Sequence, residues 1–177
     1  MILLTSHRSP QEQERYENTD RLISAAYNGM LWEVEKYIPI SNVDGFESKA
    51  LKVSIERGHL ECAKVLIPHT STMWVSRFAL RTACQSEQTA FFETLVPLTR
   101  HEDVLKMMVW LLNHNRKETA QKLYKYVDYN DVVKTLQRFI VHENGLELLE
   151  ELQAQRQKDA IETQVVAHGL TSTQRKI

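Results

Sequence analysis

Three prolines mark a repeat. Pro39, Pro68 and Pro97 stand 29 residues apart, each preceded by two apolar residues: Tyr37-Ile38, Leu66-Ile67 and Leu95-Val96. The same step links Leu22, Leu51 and Leu80, then Ala26, Ile55 and Cys84, then Val34, Ala63 and Phe92. Gly29 and Gly58 share a column that Glu87 fills in the third copy. One such column is within the reach of chance, but several in one register are not. A chain with a fixed period builds a stack of like pieces, each burying a face on its neighbour.

Each copy reads as a pair of helices. Leu22, Ala25 and Ala26 recur at i, i+3 and i+4, which is one apolar helical face. Gly29 then suits the left-handed residue that ends a helix. A second helix follows with Leu31, Val34, Tyr37 and Ile38 on its apolar side, and Pro39 stops it by withholding a backbone donor. The second copy repeats this with Leu51, Ser54 and Ile55, then Leu60, Ala63, Leu66 and Ile67. With 5 glycines and 4 prolines in 177 residues, the chain is poor in the residues that tight sheet turns consume. The expected class is therefore all-α: a short solenoid of four to five helix pairs with a long C-terminal helix. Repeats are placed at about 20–39, 49–68, 78–97, 106–125 and 131–152. A period of 29 is too short for HEAT or tetratricopeptide arrays.

The fourth repeat needs a step of 28, which sets Met108, Leu111 and Leu112 under Leu80, Ala83 and Cys84, and it lacks both glycine and proline. A looser fifth pair spans Val132 to Ile140 and Leu146 to Leu152. Residues 1–18 read as a loose arm or capping turn, and 153–177 as a helix extension ending near Gly169 with a frayed tail. Neither a signal peptide nor a membrane span is expected, since MILL meets Thr5-Ser6-His7-Arg8 at once and no longer apolar run follows. The two cysteines, Cys62 and Cys84, are too few for a disulfide framework. A reducing cytoplasm is the expected location.

The segment DGFESKALKVSIERGHLECAKVLIP, Asp44 to Pro68, resembles an ankyrin repeat through Leu51, Ser54-Ile55, Gly58-His59 and Leu60 to Leu66. Asp20 to Pro39 resembles the same piece, with Ala25-Ala26 and Gly29 in place, and the resemblance extends over roughly residues 19–126. The family's Thr-Pro-Leu-His reads Asp20-Arg21-Leu22-Ile23 and Lys49-Ala50-Leu51-Lys52 here, with two extra residues between Gly45 and Leu51. The hairpin fingers of the family are accordingly expected to be shortened or replaced by loops. In its irregular 29-residue form the chain is similar to ankyrin proteins of viruses and phages. The resemblance implies a protein that binds other proteins, in that setting a host protein, with no cofactor.

Chemistry-bearing patterns are sparse. The seven histidines contain no i, i+3 or i, i+4 pair and no HExxH, so a zinc site is not expected, and His59 fits a local packing role. Cys84 falls in a core column and Cys62 in a half-exposed one. No phosphate-cradling glycine loop is present. A non-enzymatic interaction module follows. Its expected binding residues are Phe46 and Trp74 in the loops 40–47 and 69–75, with Lys49, Lys52, Arg77 and Arg81 on first helices. Trp32 and Trp110 are expected to pack.

The formal net charge of -1 argues against a general nucleic-acid binder. A nucleic-acid role would fall to residues 116–138, where Arg116, Lys117, Lys122, Lys125, Lys134 and Arg138 outnumber the acids. An acidic stretch, 143–162, follows; the two stretches could meet a partner or a second copy of the chain through the C-terminal helix.

Overall fold

The computed structural model describes residues 9–138 and 143–173. The described residues are mostly helical and contain no strand. The chain divides into two compact units, Met1–Val104 and Leu105–Ile177. In chain order the helices are α1 (Pro10–Asn28), α2 (Leu31–Tyr37), α3 (Gly45–Glu56), α4 (Leu60–Leu66), α5 (Thr72–Trp74), α6 (Leu80–Gln85), α7 (Phe92–Leu95), α8 (His101–Asn113), α9 (Lys117–Tyr124), α10 (Tyr129–Leu136) and α11 (Glu143–Thr173). A π-helical turn, Val75–Ala79, joins α5 to α6.

The 29-residue step is written into the backbone. Gly29 (φ 71) and Gly58 (φ 78) are left-handed, and so are Glu87 (φ 58) and Asn115 (φ 52), one step of 29 and one of 28 further on. At all four places the following amide reaches back to the carbonyl five residues earlier. Met30 N–H bonds to Ala25 O at 3.0 Å, His59 to Ser54 at 2.8 Å, Gln88 to Ala83 at 2.9 Å and Arg116 to Leu111 at 2.9 Å. This is the Schellman closure of a helix end. Asn115 supplies the residue type that best tolerates the left-handed region after glycine, so the fourth repeat has its stop signal after all.

The prolines sit in 3-10 turns, Ile38–Ile40, Ile67–His69 and Val96–Leu98, which end each second helix. The Thr70 and Thr99 hydroxyls donate back to Leu66 O and Leu95 O at 2.9 and 2.8 Å. The columns form the core: Leu22, Leu51 and Leu80, then Ala26, Ile55 and Cys84, then Val34, Ala63 and Phe92 are all buried. Burying a leucine-sized side chain contributes about 1.5–3 kcal/mol, so the period marks where stabilisation is concentrated. In the first unit α1 packs on α2 and α3, α3 on α4 and α6, and α2 on α4.

Several expectations are corrected. Residues 10–18 are no loose arm, because α1 begins at Pro10 under a capping box: Ser9 N–H donates to Glu12 Oε2 (2.8 Å) and Glu12 N–H to Ser9 Oγ (3.2 Å). The C-terminal helix runs through Gly169 to Thr173 without a break. Trp32 is 63% exposed, because α2 turns only Val34 fully inward. Cys62 is buried rather than half-exposed. The boundary between the two compact units falls inside α8. Residues 1–8, Ile140, His142 and residues 174–177 lie outside the described residues.

The second unit joins α9 to α11. Lys117 pairs with Glu151, so part of the basic stretch meets the acidic one within the chain. The Tyr124 hydroxyl donates to Gln153. Arg156 donates to the Val127 carbonyl at 3.3 Å, just past the C-terminal end of α9, and its guanidinium lies 5.4 Å from the Tyr124 ring centroid. A cation at that end satisfies carbonyls the helix leaves open.

Candidate protein-binding groove

Two unusual pieces of backbone face each other in the first unit. In α3, Phe46 (φ 53), Glu47 (φ 59) and Ser48 (φ 57) form one left-handed turn, and the right-handed helix begins only at Lys49. Each such non-glycine residue costs roughly 1–2 kcal/mol. The turn is held from outside. The Asp44 carboxylate accepts from the Ser48 hydroxyl (3.0 Å) and from the Ser71 amide (2.7 Å) of the next repeat. The Asn42 amide donates to Thr19 Oγ1 at 2.9 Å, and a Cβ on Gly45 would stand 2.7 Å from Thr19 Cγ2. Only glycine fits there.

One repeat later, 29 residues beyond Phe46, Val75 opens the π-helical turn. Such turns insert an extra residue into a helix and re-aim its side chains. Trp74 precedes it and Phe78 lies within it, with ring centroids 6.3 Å apart.

Between these segments lies a groove of about 760 Å³. Phe46, Lys49 and Lys52 line it from α3, and Trp74 and Arg81 from the neighbouring stretch. The structure thus gathers five of the residues expected to bind, and leaves the exposed Arg77 out of the lining. Two positions are corrected in kind: Phe46 belongs to the left-handed turn of α3, and Trp74 ends a helical turn and is half-buried.

Met73 and Phe78 also line the groove and were missed. Phe78 carried a signal, since its column holds Asp20 and Lys49 in the other repeats. An aromatic in an otherwise charged column marks a surface with a use. Met73, 61% exposed, likewise falls in a column that holds Asp44 and Arg15 one and two steps earlier.

The charges in the groove are unequal in their commitments. Asp44 is taken up by Ser48 and Ser71, and Glu56 stands 3.9 Å from Lys52. Lys49 and Arg81 stand on opposite walls, and neither makes an ion pair or hydrogen bond among the described residues.

The other candidates have structural assignments. His59 Nε2–H donates to Tyr27 O at 3.0 Å, and its ring lies so close to Gly29 that a Cβ there would be 2.6 Å from Nδ1. Burial pushes the Cys84 thiol up to about 12. It also raises Cys62, with Glu35 and Glu61 adding to the effect. Trp110 is half-buried and stacks on His114 with centroids 4.2 Å apart. Among the described residues, no cluster of His, Cys, Asp or Glu is arranged to hold a metal, and no helix is long and apolar enough to cross a membrane.

No protein-family model matches the chain, and neither the curated proteins nor the solved structures contain a significant match.

Proposed function

We propose that the chain is a degenerate ankyrin-type stack serving as a non-enzymatic protein-binding module, an adaptor or an inhibitor of its target. The observation that carries this reading is the gathering of Phe46, Lys49, Lys52, Trp74 and Arg81 around one groove. The apolar columns are used up between helices, so recognition falls to first-helix polar positions and the turns before them. The surface of a monomer rarely gathers large exposed apolar side chains without a use, and Trp and Arg dominate interface energetics. The resemblance of the repeat to viral and phage ankyrin proteins favours a host protein in the cytoplasm as the target. A nucleic-acid role for 116–138 is disfavoured by the Lys117–Glu151 pair and by the Lys134–Asp131 contact at 3.9 Å.

The test is affinity capture followed by mass spectrometry, run in parallel with wild type and with a combined Phe46→Ala, Trp74→Ala, Arg81→Ala variant. A protein retained by wild type and lost by a variant with unchanged circular dichroism supports the reading. Equal retention by both, or loss instead with Arg116→Ala, Lys117→Ala, Lys122→Ala, overturns it.

A further inference from the structure

We infer, independently of the binding reading, that Asn28 is a site of spontaneous deamidation, held back by the bonds that close α1 and released when that closure opens.

Asn28 is the last residue of α1 and is followed by Gly29, the first of the left-handed stops. Among the four residues that precede those stops, Asn28, Arg57, Ser86 and His114, it alone carries a side-chain amide. Glycine has no Cβ to shield its amide, so the Gly29 nitrogen can attack the Asn28 side-chain carbonyl carbon. The N–Cγ bond forms and the Cγ–Nδ2 bond breaks. The Gly29 proton leaves with the amino group as ammonia. Water then opens the cyclic imide at one of its two carbonyls, giving aspartate or isoaspartate. The side chain is exposed, so water is at hand.

The folded chain keeps both reacting groups occupied. Asn28 Nδ2 donates to Ser24 O at 2.9 Å, which directs the side chain toward the start of the helix and away from Gly29. The Gly29 N–H is turned to the carbonyls of Ala25 and Ala26. The Met30 N–H bonds to Ala25 O at 3.0 Å, and the His59 ring lies against Gly29, pinned by its bond to Tyr27 O. Reaction therefore requires the last turn of α1 to let go, and helix ends open at a cost well below that of global unfolding.

The product cannot restore the closure. Aspartate replaces the donor to Ser24 O with an acceptor and sets a negative charge at a helix C-terminus, its unfavourable end. Isoaspartate adds a methylene to the main chain and moves the Gly29 and Met30 amides out of register with Ala25 and Ala26. Opening permits the reaction, and the reaction keeps the end open.

The experiment incubates the full chain at neutral pH, native and in urea, and follows position 28 by peptide mapping with mass spectrometry. Asn144, also before a glycine, and Asn115, before Arg116, are read in the same digests so that the sites are not confused. Conversion at Asn28 is expected in urea, and at least about tenfold more slowly in the native protein. His59→Ala is expected to speed the native reaction by roughly threefold or more and leave the rate in urea unchanged. Hydrogen exchange at the Met30 amide is expected to quicken in His59→Ala and in Asn28→Asp. No conversion at Asn28 in urea, or conversion no faster there than at Asn115, overturns the site. Equal rates in the native and unfolded chain overturn the protection. Met30 exchange in Asn28→Asp as slow as in wild type overturns the loss of closure. Should His59→Ala fail to fold, wild type in sub-denaturing urea serves instead: conversion rising in step with Met30 exchange supports the coupling, and conversion that stays flat while exchange rises overturns it.

Discussion

At the C-terminal end of the first helix, four repeats share one hydrogen-bond pattern, and at its N-terminal end no two agree. The ends at Gly29, Gly58, Glu87 and Asn115 are closed by the same backbone bond. The starts differ: α1 runs in from Pro10 under a capping box, α3 opens with a left-handed turn, the third repeat enters through a π-helical turn, and α8 begins beside the Arg100–Asp103 ion pair. The stop is needed to fold every repeat, so it recurs whether or not glycine supplies it. The start is free to vary, and its variation places the groove. The repeat thus separates the bonds that close each first helix from the variable starts that frame the groove.

The largest test of that separation is in the columns. Leu51→Ala and Leu66→Ala remove fully buried side chains and are each expected to cost about 2–5 kcal/mol in urea or thermal unfolding. Unchanged melting in either would show that the 29-residue register is wrong.

Next come the stops themselves. Gly29→Ala places a side chain in the left-handed region and against the His59 ring, which its bond to Tyr27 holds in place. At Gly58 the close neighbour is the amide end of Gln88, at 2.9 Å, a flexible group that can move aside. Both changes are expected to destabilise by roughly 1–2 kcal/mol, Gly29→Ala more than Gly58→Ala. The reverse order in denaturant titrations would remove His59 as the cause.

The starts predict the opposite sign. Glu47 is exposed and left-handed, so Glu47→Gly relieves strain and loses part of the gain to chain entropy. A net rise in stability of roughly 0.5–1 kcal/mol is expected, and a loss would mean that the turn is not strained. The smallest expected effect is at the thiols. Cys62 and Cys84 are buried with raised pKa values, and neither is expected to react with a thiol reagent at neutral pH until denaturant is added. Rapid labelling of the native protein at Cys62 would place its column back at the surface.

Much of the architecture was legible because its signals are local. A proline ends a helix wherever it stands, a glycine accepts a positive φ, and an i, i+3, i+4 pattern declares a buried face. Those rules located the helix pairs, the ends of the second helices at Pro39, Pro68 and Pro97, and the buried columns from spacing alone. The candidate groove was legible in part, since Phe46 and Trp74 fell off the columns and Lys52 and Arg81 fell in one register.

What local rules could not supply was decided by contacts across the chain. Phe46, Glu47 and Ser48 have no intrinsic preference for a left-handed turn, and it exists because Asp44, Ser71, Asn42 and Thr19 bond around it. Trp32 is exposed like Glu61, which shares its column, whereas Cys62 is buried where its column partner Glu33 is half-buried. Lys117 and Glu151, 34 residues apart, find each other only once α9 and α11 pack. The sequence by itself determined the period, the helix ends and the core, since each depends on residues within a few positions. Tertiary structure decided the strained starts, the groove they frame and the pairing of the charged stretches, since each depends on atoms a repeat or more away.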